Sequence, residues 1–203
     1  MTDFVTRLTE IHGARPKSLA LLLAPRLARL PLPIQVYDDP FLPYGKAIIK
    51  ATRDVVSLYL FDLAAYLAVG AAGAVALERT IHYVRGDSMT VLHGPFALRG
   101  YAALLDEQAF GADAATVTDS QFIDAYLTRE DKGVFVMRSG SPKVADAPRR
   151  VGVYWQEMNI LSIVNPVGVP LNFEVLGETF LGQFMSEEFT VQIRAALEAY
   201  GDV

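Results

Sequence analysis

Chemistry needs side chains that titrate, coordinate or attack, and this chain groups few of them. It has three histidines, His12, His82 and His93, none of them at i,i+4 spacing, and no cysteine. A zinc site, a disulfide framework and a Cys nucleophile are therefore not expected, and no cofactor or metal is called for. There is no G-x-S-x-G turn and no Walker sequence. The GAAG at 70–73 lacks a third glycine in register, so it reads as a helix-entry loop and not as a dinucleotide fingerprint. The acidic pairs Asp38-Asp39 and Glu187-Glu188 fall where helices should begin, and capping or the helix dipole accounts for them.

What is left is a set of single polar residues at the ends of apolar runs. Asp62 ends one run and suits either a functional acid or a solvated helix cap. His93 ends another and suits either an acid/base or an ordinary loop histidine. Arg138 and Ser139 follow a third run and could hold an anion, or Arg138 could form a structural ion pair. Asn165-Pro166 with Gly168 follows a fourth; the composition suits a turn, and Asn165 is retained as a candidate for the same pocket. Tyr154, Trp155 and Met158 suit either an interface or a core.

The elements that must carry these residues follow from periodicity. Phe4, Leu8 and Ile11 lie on one face of a helix over 3–12 that Gly13 ends. Short apolar runs at Ser18–Leu23, Ser57–Leu63, Met89–Leu92, Ala114–Thr118 and Gly133–Met137 read as strands. Between them come a helix opened by Asp38 or Asp39 with Pro40 in its first turn, a helix with the stripe Leu77, Ile81 and Val84, an alanine-rich helix around 97–109, and a short helix capped by Ser120. That alternation is the signature of βαβ units on a parallel sheet. After Pro142 the rhythm changes: Val151, Val153 and Trp155, then Ile160–Val164, then Asn172–Leu176 are β-rich runs with no helix between them, before a final helix capped by Ser186. The expectation is one α/β domain over 1–203, a (β/α)8 TIM-barrel-like fold with regular repeats over 1–142 and a shortened, irregular β-rich part over 143–203.

Composition sets the remaining bounds. With 203 residues, 52% hydrophobic and 20% charged, the chain can bury roughly 70% of its unfolded surface. A net charge of −5 without a Lys/Arg run longer than Arg149-Arg150 argues against nucleic acid as a partner. Val55–Leu77 is long enough to span a bilayer and carries one charge, Asp62. A central Asp costing about 2.5–3.5 kcal/mol, the interruptions at Gly70 and Gly73, and the β character of its first third argue instead for a soluble protein. The N-terminus, MTDFVTRLTEIHGARPKS, has no apolar run of the secretory kind, so a cytoplasmic protein is expected.

Residues 1–142 as a whole resemble orotidine 5′-phosphate decarboxylase, in particular its longer bacterial subfamily. The segment LAAYLAVGAAGAVALERTIHYV at 63–84 is similar nearly position for position to that subfamily's second-strand exit and following helix. DDPFLPYGKAIIKATRD at 38–54, ADAATV at 112–117 and GVFVMRSGSP at 133–142 follow in the family's order. The resemblance implies the barrel fold, a homodimer and cofactor-free decarboxylation at the C-terminal strand ends.

It also implies residues that this sequence lacks. The family's Asp-x-Lys-x-x-Asp after the third strand falls on LHGPFALRG at 92–100, which puts His93 at the first Asp and Pro95 at the Lys. The first-strand Asp falls on Ala24, the second-strand Lys on Leu60, and the Asn two residues on becomes Asp62. Of the Thr-Ser-Asn-Pro run only Pro142 is kept, with Ser139, Gly140 and Ser141 before it, and the phosphate grip has no counterpart. The expectation is a catalytically degenerate relative with no catalytic residue, in a structural or regulatory role linked to pyrimidine metabolism, bound to a protein partner or a small anionic ligand. Two alternatives stand beside it: a binder or enzyme of different chemistry using Asp62, His93 and Arg138 in the barrel mouth, and a working decarboxylase whose motifs are displaced.

Overall fold

The computed structural model describes residues 2–118, 120–139 and 150–200. Gly140, Ser141, Pro142 and Arg149 therefore lie outside the described residues. Eight strands close into a barrel in sequence order: β1 Leu19–Leu23, β2 Val56–Asp62, β3 Met89–Phe96, β4 Ala114–Val117, β5 Gly133–Arg138, β6 Val151–Trp155, β7 Ile160–Val164 and β8 Pro170–Leu176. Neighbours are parallel from β8 through β1 to β6, and β7 alone runs antiparallel to both its neighbours.

The reversed strand explains how a short tail completes the ring. A parallel return needs a crossover of a dozen or more residues, whereas an antiparallel one needs only a hairpin. Gln156–Met158 forms a 3-10 turn that ends at Asn159 in the left-handed region (φ 53°), and leads from β6 into β7. The turn from Asn165 to Val169 leads from β7 into β8, with Gly168 at φ 81°. Both hairpins dispense with a covering helix. A groove of about 610 Å³ opens on the outside of this side, lined by Lys17, Met158, Ile160, Asn172, Glu174 and Tyr200 among others.

Elsewhere helices cover the sheet: α1 Phe4–Gly13, α2 Leu32–Gln35, α3 Phe41–Thr52, α4 Leu63–Leu67, α5 Ala71–Val84, α6 Ile123–Tyr126, α7 Glu178–Gly182 and α8 Phe189–Ala199. Strand alternation sends one set of side chains outward to these helices, including Tyr59 and Phe61 of β2 against Ile48, Tyr66 and Leu77. The other set fills the barrel: Ala20, Leu58, Leu60, Met89, Val91, Ala114, Phe135, Tyr154, Leu161, Ile163, Phe173 and Val175. Helix α1 plugs the N-terminal end of that interior with Phe4, Val5 and Leu8, and Phe4 meets the Phe135 ring edge-on at 6.3 Å. Gly133 is needed beneath it, since a Cβ there would stand 2.4 Å from the Phe4 ring. At the same end, buried Asp113 accepts from the N–H and hydroxyl of Thr90, each at 2.8 Å, and pairs with Arg7 at 3.1 Å. These bonds tie β3, β4 and α1 together at the end of the barrel away from the C-terminal strand exits.

Some local expectations are corrected. The alanine-rich run around 97–109 forms 3-10 turns over Arg99–Leu105 and not an α-helix, since Gly100 stands in it and it ends after only seven residues. The helix expected from Asp38 or Asp39 starts at Phe41 with Pro40 at its cap, and the final helix is preceded by Glu188, with no side-chain cap at either. Ser120 is likewise not the side-chain cap of α6, which follows Phe122. The Val55–Leu77 segment divides into β2, α4 and part of α5, and no helix among the described residues is long and apolar enough to cross a membrane.

Candidate functional site

The C-terminal strand ends place some of the candidate residues together and separate others. Asp62 and His93 are direct register partners at the exits of β2 and β3. Each lies two residues beyond an inward-facing neighbour, Leu60 and Val91, so alternation aims both at the barrel mouth. Asp62 also caps α4, accepting the Ala65 N–H at 2.8 Å. It serves at once as the cap and as the one carboxylate identified beside His93.

The His93 ring is held on two sides. Its Nδ1 lies 3.0 Å from Thr116 Oγ1, and its face is set edge-on to Tyr154 with ring centroids 5.6 Å apart. Burial pushes the imidazole below its ordinary value, and the Asp62 charge opposes that shift. Tyr154 is 5% exposed and burial raises its phenol.

The other candidates lie apart. Arg138 follows inward-facing Met137, so alternation turns it to the outer face of the barrel, where it and Ser139 are exposed. Asn165 ends the reversed strand β7 and so falls at the opposite, N-terminal end; Pro166 lines a cavity there with Asp3, Val5, Glu130 and Arg150. Its Oδ1 accepts the N–H groups of Val167 at 3.1 Å and Val169 at 2.9 Å, which is the work of a hairpin turn. Periodicity alone could not show this, because it does not give strand direction.

Thr116 was not among the sequence candidates, and Tyr154 was read only as interface or core material. The signal for Thr116 was available: it stands two residues after Ala114 on β4, as His93 does after Val91 and Asp62 after Leu60. Below this polar layer the axis is closed by apolar side chains. Leu60 is fully buried within it, with Leu22 and Met137 packed alongside. Ala24 and Phe96 are buried as well, but Phe96 belongs to the outer layer and sits on Tyr101 at 5.4 Å, so it does not plug the mouth.

The depressed basicity of His93 has a consequence for stability. Above the ordinary histidine value the ring is neutral in both folded and unfolded chains, and it contributes no pH dependence. As pH falls through about 6.5 the unfolded chain takes up the proton first, so stability declines between that value and the lower folded one. Urea unfolding of the native chain at pH 7.5 and 5.5 should show this loss, and His93→Gln should reduce it. An undiminished loss in the variant would place the effect elsewhere.

Fold and site together define a (β/α)8-type barrel protein with a small polar cluster at the C-terminal strand ends. Within that class the chain is related to the orotidine 5′-phosphate decarboxylases. It is 31% identical to the orotidine 5′-phosphate decarboxylase of Thermomicrobium roseum over 72% of this chain and 56% of that one. It is 33% identical to that of Natronomonas pharaonis over 66% of this chain and 52% of that one. Among solved structures, a candidate orotidine-monophosphate decarboxylase from Toxoplasma gondii superposes with a TM-score of 0.60 at 26% identity, covering 70% of this chain and 50% of that one. The Leishmania donovani OMP decarboxylase, at 23% identity and a TM-score of 0.56 over 70% of this chain and 56% of that one, shares the fold. The chain spans about half the length of the curated relatives it matches. No family model matches it.

Proposed function

We propose that this protein is a relative of orotidine 5′-phosphate decarboxylase that has kept the barrel and lost the decarboxylation. The observation that supports this most is the exit of β3. Where the resemblance calls for an aspartate and a lysine beside the substrate carboxylate, the chain has His93 and Pro95, and Leu60 occupies the place of the second-strand lysine in the apolar interior. A lone Asp62 does not replace a proton-donating lysine set among aspartates. A structural or regulatory role beside pyrimidine metabolism fits a barrel in this condition. Turnover of orotidine 5′-monophosphate by the purified chain is the test.

The assembly belongs to the same reading. The segments after β1, β2 and β3 expose Leu32, Val36, Tyr37, Leu67 and Leu98, with Val36 80% and Leu32 70% exposed. Apolar residues gathered at one end of a barrel favour association, and a closed two-fold pair is the commonest solution. A homodimer is expected by light scattering at micromolar concentration. A monomer at that concentration would contradict this part of the reading.

A further inference from the structure

The hydrogen-bond pattern around Thr116 fixes what the mouth can recognise. Between Leu92 and Phe96 the register of β3 against β4 breaks, and both backbone groups of Gly94 turn to the Thr116 side chain. The Gly94 N–H donates to Oγ1 at 3.0 Å, and the Thr116 hydroxyl donates to the Gly94 carbonyl at 3.0 Å. A hydroxyl has one hydrogen, and a carbonyl can only accept. Assigning that hydrogen to the Gly94 carbonyl makes Thr116 an acceptor toward His93 Nδ1, and Nδ1 then carries the ring hydrogen. A neutral imidazole has only one, and Nε2 is left as a bare lone pair.

That lone pair has no partner among the described residues and is not sealed from solvent. Beside it stands Asp62, whose Oδ1 takes the Ala65 N–H while Oδ2 likewise has no described partner and is not sealed. The two register neighbours thus offer acceptors only. Burial keeps the His93 ring neutral near pH 7, so it does not repel a cation. Arg138, the cation expected to draw an anion to this end, lies on the outer face.

We propose that the Asp62–His93 mouth binds a small ligand that presents paired N–H donors on a cationic planar group, an amidinium being the simplest, and that it does not bind phosphate. Asp62 supplies the charge and His93 Nε2 the second acceptor, with the His93 ring held in place by Thr116 and Tyr154. This goes beyond the loss of decarboxylation and does not rest on it.

Nitrogen NMR of the histidine-labelled protein tests the proposal, with benzamidine as the probe and inorganic phosphate and UMP as anionic comparators. The expected spectrum at pH 7.5 shows His93 protonated at Nδ1 and bare at Nε2. Benzamidine should shift the His93 signals saturably at millimolar concentration while His12 and His82 stay in place. Asp62→Asn should weaken that binding at least tenfold; asparagine caps a helix as well as aspartate does, so the variant keeps α4. His93→Gln, followed through the Asp62 and Ala65 amides, should weaken it as well. An Nε2-protonated ring, unmoved His93 signals at millimolar benzamidine, unchanged affinity in Asp62→Asn, or phosphate bound more tightly than benzamidine would each overturn the proposal.

Discussion

Purified chain supplied with orotidine 5′-monophosphate is expected to release carbon dioxide no faster than buffer alone. Enzymes lower barriers by about 8–23 kcal/mol, and a cofactor-free decarboxylation must draw that from charges placed where the carbanion develops and from a proton donor within reach. The resemblance assigns those tasks to an Asp-x-Lys-x-x-Asp run, and the corresponding stretch here is His93, Gly94, Pro95, Phe96, Ala97, Leu98. Proline carries no ionisable side-chain proton to donate. His93 is one hydrogen short of being a cation, and burial works against its taking that hydrogen up. Leu98 projects into solvent, 59% exposed. An enzyme-like rate from a clean preparation, measured by loss of substrate absorbance and by released labelled carbon dioxide, would reject the proposed function and favour a working site built from displaced motifs.

The barrel was legible because its strands are apolar runs bounded by helix patterns, and each of the eight strands falls on a run recognised from sequence. The parallel order through β5 follows from the βαβ rhythm, which ends at Met137; beyond Pro142 the β-rich runs alone allow seven or eight strands and do not give their order. The direction of β7 was not legible. A five-residue apolar run such as Ile160–Val164 reads the same either way, and only the short links on both sides, Gln156–Asn159 and Asn165–Val169, favour hairpins. That one reversal is why Asn165 stands at the far end of the barrel from His93. Helix ends were less legible than strands. Asp38, Asp39 and Ser186 are good capping residues whose side chains do not cap in the structure, while Asp62, which suits either a functional acid or a helix cap, does. The site was half legible: Asp62 and His93 are visible as polar residues ending apolar runs. Their pairing depends on register, and so does the contact between Thr116 and His93 Nδ1. Neither register is written in any one segment.

Leu60→Lys should destabilise the fold strongly without restoring a nucleotide site. Leu60 is fully buried in the barrel interior, where its register neighbours are Leu22 on β1 and Val91 on β3. An ammonium at this position loses its water, and Asp62, two residues up the strand, already has one oxygen on the Ala65 N–H. An uncompensated buried charge costs about 3–5 kcal/mol. For a chain of this size each kcal/mol moves the melting temperature by about 2–4 °C, so a fall on the order of 10 °C is expected. Leu60→Met keeps the volume and the apolar character and should cost less than about 1.5 kcal/mol, which separates the effect of charge from that of shape. UMP then distinguishes a damaged core from a recovered site. A ligand at one hundred times its dissociation constant adds about 2.7 kcal/mol of stability, easily seen as a rise in melting temperature, but one lysine cannot replace the missing phosphate grip. Melting curves of Leu60→Lys should therefore superpose with and without UMP. A rise specific to UMP, absent in Leu60→Met, would mean that a nucleotide site persists and would overturn the reading of a barrel that has lost it.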